Sequence, residues 1–188
     1  MQRVLIFIIP TILAIFSSIL IFQVGKKAVQ IEAYQTSNYL YNVTYDQLTP
    51  NTQKQIMCLA ENIFHEAAQE PKSGQVAVAF VTLNRVKNEQ FPNDICSVVK
   101  QRKVRDICQF SWYCQGKKSF KRLTKDHVDV YNKTIKLAVH VYANYDKLND
   151  PSNGALFYHA DYVRPHWRKG MNKVAMIGKH IFYVKKDI

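Results

Sequence analysis

Residues 58–85 read CLAENIFHEAAQEPKSGQVAVAFVTLNR. The stretch predicts two buried helices joined by a turn around Pro71. In the first, Ile56, Leu59, Ala60, Ile63 and Ala67 recur at helical spacing and make one apolar stripe. At about 100° per residue, Glu66 falls roughly 60° from Ile63, at the edge of that stripe, whereas Glu61 falls about 160° away, on the wet face. Two identical side chains are thereby given different surroundings. Glu61 is expected to be an ordinary ionised surface carboxylate. Glu66 is expected to be half-buried, and burial disfavours the charged form, so it keeps its proton closer to neutrality. Glu70 lies near the stripe too, but it precedes Pro71, where the helix runs out.

Residues 76–83, VAVAFVTL, are apolar all round and predict a central helix. It ends in Asn84 and Arg85. These two either line a cleft and orient Glu66, or sit at the core margin with Arg85 snorkelling to solvent. His65-Glu66 invites comparison with a zinc-protease helix, but that motif needs a second His where this chain has Gln69.

Outward from this stretch the chain carries further ordered motifs: FPNDICSVV from Phe91, CQFSWYC from Cys108, GALFYHA from Gly154 and IGKHIFY from Ile177. Together with EAAQEPKSGQVAVAFVTLNRV they resemble the cell wall hydrolase family typified by the spore cortex-lytic enzyme SleB, over about residues 56–184. The resemblance implies a lysozyme-like or transglycosylase-like fold acting on peptidoglycan glycan strands. It implies Glu66 as catalytic acid, and it brings Tyr158 and His159 to the border of the cleft.

In CQFSWYC, aromatic faces suit the apolar faces of sugar rings, and Gln109 and Ser111 suit hydroxyl and acetamido groups. Phe110 reads as core. Trp112 reads as a substrate contact, chiefly on the resemblance.

The N-terminal residues 4–24 contain no charge and are long enough to cross a bilayer as a helix. The apolar run exceeds a usual cleavable leader and lacks a small-x-small site, which favours an uncleaved signal-anchor. The expected order is a short N-terminus (1–3), a transmembrane anchor (4–24), a stalk (25–50) and the hydrolase domain (51–188). Four cysteines, Cys58, Cys96, Cys108 and Cys114, fall in the soluble part. An even number without CxxC spacing reads as two disulfides of unassigned pairing, which puts the domain in the periplasm or outside the cell.

The remaining elements follow from local signals. Asn51 or Thr52 is expected to cap the first helix and Ser73 the second. Gln101–Arg105 and Lys117–Lys125 read as basic loops. Residues 126–145 form the longest amphipathic helix, with Val128, Tyr131, Ile135, Ala138, Val139 and Tyr142 inward. Ala155–His159 and His180–Val184 read as short strands. The fold class is therefore α+β, mostly helical, with a lysozyme-like core and a small sheet. His159, His166 and His180 are too loosely arranged to argue a metal, and no cofactor is expected. The net charge of +12 suits an anionic partner. Nucleic acid is disfavoured, since no helix-turn-helix, zinc-finger or RNA-binding signature is present.

The expected reaction is cleavage between N-acetylmuramic acid and N-acetylglucosamine. A two-carboxylate glycosidase needs a second acid, for which Asp94, Asp106 and Asp161 are the candidates. A single acid is enough for lytic transglycosylation, which is the preferred reading. Hydrolytic cleavage, a peptidoglycan amidase and a wall-binding module without turnover stand as alternatives.

Overall fold

Thr49-Pro50 starts the first long helix, α1 (Pro50–Ala67). Proline at the first helical position needs no N–H partner, and Thr49 accepts a hydrogen bond from the Thr52 N–H. The cap is thus Thr49, not Asn51 or Thr52. This is a computed structural model, and it describes residues 43–104, 107–115 and 124–186. The expected anchor at 4–24, most of the expected stalk, Asp106 and residues 117–123 lie outside the described residues. Among the described residues no helix is long and apolar enough to cross a membrane.

The second helix, α2 (Lys72–Lys87), follows directly on Pro71. Ser73, expected as its cap, lies inside the first turn, because the Gly74 and Gln75 N–H groups close onto the Pro71 carbonyl. The Gln75 side chain donates back to the carbonyls of Ala68 and Glu70, satisfying the end of α1. Ile56, Leu59, Ala60, Ile63 and Ala67 are all buried, as is every residue from Ala77 to Leu83. Glu61 departs from its reading: it is half-buried near Tyr131, because the long helix Lys125–Ala143 packs beside that face.

Around these two helices pack α3 (Ile95–Val99), capped by Asp94, and α5 (Lys125–Ala143), capped by Thr124. The core joins Ile56, Leu59 and Ile63 to Phe80, Val98, Val99, Phe110, Leu137 and Val141. In α5 the buried stripe is Thr134, Leu137, Ala138 and Val141, with Val139 beside it. Val128 and Tyr142, expected inward, are 42% and 38% exposed. The inward face is rotated by about one residue from the expected one.

Gln101–Arg105, expected as a loop, holds a strand: β1 (Arg102–Val104) pairs antiparallel with β2 (Ile107–Cys108). A short helix, α4 (Ser111–Cys114), follows. Two disulfides form, Cys58–Cys96 between α1 and α3, and Cys108–Cys114 across the β2–α4 segment.

The second sheet holds β3 (Phe157–Ala160), β5 (His180–Lys185) in the middle, and β4 (Met171–Ile177). Both pairings are antiparallel. β4 is an edge strand that sequence reading missed: none of its residues is fully buried, and its register is irregular between Lys173 and Ala175. Phe182 of β5 packs on Ala77 and Val81 of α2. The β4–β5 turn passes through Gly178 (φ +55), where an added Cβ would sit 1.9 Å from Glu70 Oε2. The fold is α+β and helix-rich with two small sheets.

Candidate active site

Glu66 lies in the last turn of α1, half-buried at the edge of the stripe. Across from it stands Tyr158 of β3, whose hydroxyl donates to Glu66 Oε2 at 2.9 Å. Strand alternation explains why Tyr158 is the residue that reaches it. Tyr158 shares the inner face with Phe182, its cross-strand partner, while His159 points the other way. Its ring packs edge-on against His180, with centroids 5.2 Å apart, and against Phe182.

The second group acting on Glu66 is Arg85 of α2. It does not snorkel: it is only 3% exposed. Its Nε donates to the Leu156 carbonyl at 2.8 Å, one residue before β3. The rings of Phe110, Phe91 and Phe157 lie 4.9, 5.3 and 5.8 Å from the guanidinium carbon. Its buried Nη1 has no hydrogen-bond partner among the described residues.

Burial pushes the Glu66 carboxyl above its ordinary range, while the Tyr158 hydrogen bond and the Arg85 charge pull it back. Burial likewise draws Arg85 down to about 10, which leaves it a cation at neutrality. Burial, with the Glu66 charge adding to it, pushes the Tyr158 phenol well above its usual value, so it stands as a neutral donor.

Trp112 of α4 flanks this helix. Its indole N–H donates to Asn62 Oδ1 at 3.0 Å, and Asn62 in turn donates to Thr82 Oγ1 at 3.1 Å. The ring stacks on His65, the neighbour of Glu66, at 4.3 Å. One face of the indole is therefore covered. Phe110 is core, as read.

The other site candidates are distributed elsewhere. Asn84 is engaged internally: it donates to Asp150 Oδ2 and the Ala155 carbonyl and accepts from the Tyr145 hydroxyl. His159 is buried on the outer side of the sheet, bonded and stacked to Tyr183. Gln109 is half-buried, its main-chain N–H on the Gln101 carbonyl, and Ser111 is exposed at the start of α4. Glu70 is engaged at the β4–β5 turn: it accepts from the Lys179 N–H at 2.8 Å and lies 4.0 Å from His180 Nδ1. Asn62, fully buried, is the residue sequence reading passed over. Its signal was a lone amide inside the apolar stripe, four residues before Glu66.

Neither Asp94 nor Asp161 is among the groups acting on Glu66. Asp94 caps α3 through the Ser97 N–H and borders an open cavity of about 540 Å³ that Asn51, Lys54, Ser97 and Lys100 also line. That cavity does not include Glu66. Among the described residues no group of three or more His, Cys, Asp or Glu is arranged to hold a metal ion.

A family model described as Cell Wall Hydrolase matches residues 69–183, a range that takes in Arg85 and Tyr158 and begins three residues after Glu66. The spore cortex-lytic enzyme of Bacillus subtilis (strain 168) is 30% identical over 129 residues, 68% of this chain and 36% of that protein. The spore cortex-lytic enzyme of Bacillus cereus is 32% identical over 137 residues, 70% of this chain and 44% of that protein. The chain thus spans less than half the length of these curated relatives. The catalytic domain of Bacillus anthracis SleB, described as a germination-specific lytic transglycosylase, superposes with a TM-score of 0.53 at 29% identity, covering 73% of this chain and 98% of that one. The catalytic domain of Bacillus cereus SleB gives 0.52 at 28% identity, over 70% and 91%.

Proposed function

This chain belongs to the cell wall hydrolase family, and from that premise we propose that it cleaves peptidoglycan glycan strands between N-acetylmuramic acid and N-acetylglucosamine, as a lytic transglycosylase with Glu66 as its single acid. One observation carries the choice of chemistry. Glu66 is a half-buried carboxyl whose described partners are a hydroxyl and a cation, not a second carboxylate. A retaining glycosidase needs a second carboxylate about 5 Å away and an inverting one needs it about 6.5–9.5 Å away. A lytic route needs neither.

Glu66, protonated, gives its proton to the glycosidic oxygen as the bond from that oxygen to the muramyl C1 breaks. The carboxylate left behind then takes the proton of the same sugar's 6-hydroxyl. That oxygen closes onto C1 and yields a 1,6-anhydro end. No water enters the bond that is cut. Trp112, with one face of its indole on His65, offers its other face to a sugar ring.

The location we propose is outside the cytoplasm, supported by two disulfides and no free cysteine among the described residues. Residues 4–24 would hold the domain at the membrane.

The test is digestion of purified peptidoglycan by the full chain, with mass spectrometry of the products. Anhydro-muropeptides are expected. Reducing muramic acid ends would replace the lytic step by hydrolysis, free stem peptides would mean an amidase, and binding without products would leave a wall-binding module.

A further inference from the structure

We propose that Tyr158 is a positioning residue that decides which oxygen of Glu66 carries the transferable proton, with the buried cation of Arg85 acting on the same carboxyl. The proposal rests on the reading of Glu66 as the acid.

The geometry is directional. The Tyr158 hydroxyl donates to Glu66 Oε2 at 2.9 Å. An oxygen that accepts this bond is the carbonyl-type oxygen of a neutral carboxylic acid, so the acidic hydrogen belongs on Oε1. A proton on Oε2 would oblige the phenol to turn its own hydrogen away, and Glu66 is that hydroxyl's hydrogen-bond partner among the described residues. Tyr158 therefore favours one of two otherwise equivalent protonation states, the one with Oε1 as the donor atom.

The same bond changes strength during the reaction. Against a neutral acid it is an ordinary hydrogen bond; once the proton has gone it becomes charge-assisted and shorter. Tyr158 thus favours the carboxylate that proton transfer creates more than the acid that precedes it, and only such a difference lowers a barrier. Arg85 works in the same direction without a hydrogen bond to Glu66. Its Nε is fixed on the Leu156 carbonyl and three phenylalanine rings surround it, so its charge cannot swing out to water.

The charged and titratable groups around the carboxyl enter this balance. Tyr158 comes from β3 and Arg85 from α2. His180 of β5 touches the Tyr158 ring edge-on and is kept below its usual value chiefly by burial. Glu70, in the turn after α1, accepts from the Lys179 N–H and lies 4.0 Å from His180 Nδ1, and Asp161 and His159 also act on His180. Burial lifts the Glu66 pKa, and Tyr158 and Arg85 restrain the lift, so the acid holds its proton yet can still release it.

The experiment compares the full chain with Tyr158→Phe, which keeps the ring. Removing the hydroxyl takes away a restraint, so the alkaline limb of the pH–activity profile moves to higher pH. A charge-assisted bond of ordinary strength predicts a kcat reduction of about 10- to 100-fold at the optimum, with KM unchanged. Arg85→Met moves the limb the same way. Titration of the Glu66 carboxyl by ¹³C NMR gives a readout independent of turnover: its pKa rises in Tyr158→Phe. A limb and a carboxyl titration that stay in place overturn the proposal. So does a raised KM at unchanged kcat, which would make Tyr158 a sugar contact. Full activity in Glu66→Gln is a different failure, because it removes the acid assignment itself.

Discussion

The Trp112 indole N–H and the Asn62 side-chain oxygen lie 3.0 Å apart, so a fully buried amide in α1 holds the aromatic side chain that flanks Glu66. Thr82 of α2 completes the chain by donating to the Val78 carbonyl. Asn62→Ala leaves the indole N–H without its acceptor, which costs about 1–3 kcal/mol for a buried donor. Urea melts should show that loss, and the emission of Trp112 should shift to the red as the indole is released. Unchanged stability and emission would contradict the role given to Asn62.

Glu66→Gln separates stability from activity. A carboxyl raised by burial binds its proton more tightly folded than unfolded. Its contribution to stability is complete below the ordinary carboxyl range and is lost as pH rises through the raised folded value. Gln carries no charge to desolvate. The variant is expected to melt at or above the parent temperature at neutral pH, with the difference closing as the medium is acidified. Activity falls by at least about 100-fold, as loss of a general acid entails. A thermal scan against pH checks the sign; a variant that is less stable at neutral pH than in acid, relative to the parent, reverses it.

Asn84→Ala should behave as a structural lesion. Its amide joins α2 to Asp150, the Ala155 carbonyl and the Tyr145 hydroxyl. Leaving those groups unpaired costs about 1–3 kcal/mol. KM for glycan strands should stay within twofold of the parent. A large rise in KM at unchanged stability would restore Asn84 as a substrate contact.

The two disulfides should differ in what they protect. Cys58–Cys96 spans 38 residues and ties α1 to α3, so replacing both cysteines by Ala costs about 2–4 kcal/mol. Cys108–Cys114 closes a separation of only 6, and its loss should lower activity more than stability, because it confines the segment carrying Trp112. Paired denaturation curves and turnover assays distinguish the two.

The half-buried placement of Glu66 was legible because helical periodicity alone separates it from Ile63 by a fixed angle. Trp112 and the disulfide cysteines were legible as types, but not their partners, since pairing depends on contacts far along the chain. Arg85 was ambiguous for the same reason. An arginine at the end of an apolar run either escapes or finds acceptors, and its acceptor is Leu156, 71 residues later. Tyr158 and His159 show a reading that strand geometry would have refined. Adjacent strand residues point to opposite faces, so only one of the two could meet Glu66. β4 gave no apolar alternation because, as an edge strand with irregular register, it presents no fully buried face.

The closeness of Gly178 to Glu70 makes the gap between acid and phenol a dependent dimension. The Glu70 carboxylate grips the Lys179 N–H where no Cβ fits, and β5 leaves that turn to pair with the strand bearing Tyr158. A single methyl there would act as a shim between helix and sheet. A change at this turn, which carries neither Glu66 nor Tyr158, would therefore reach the distance between them.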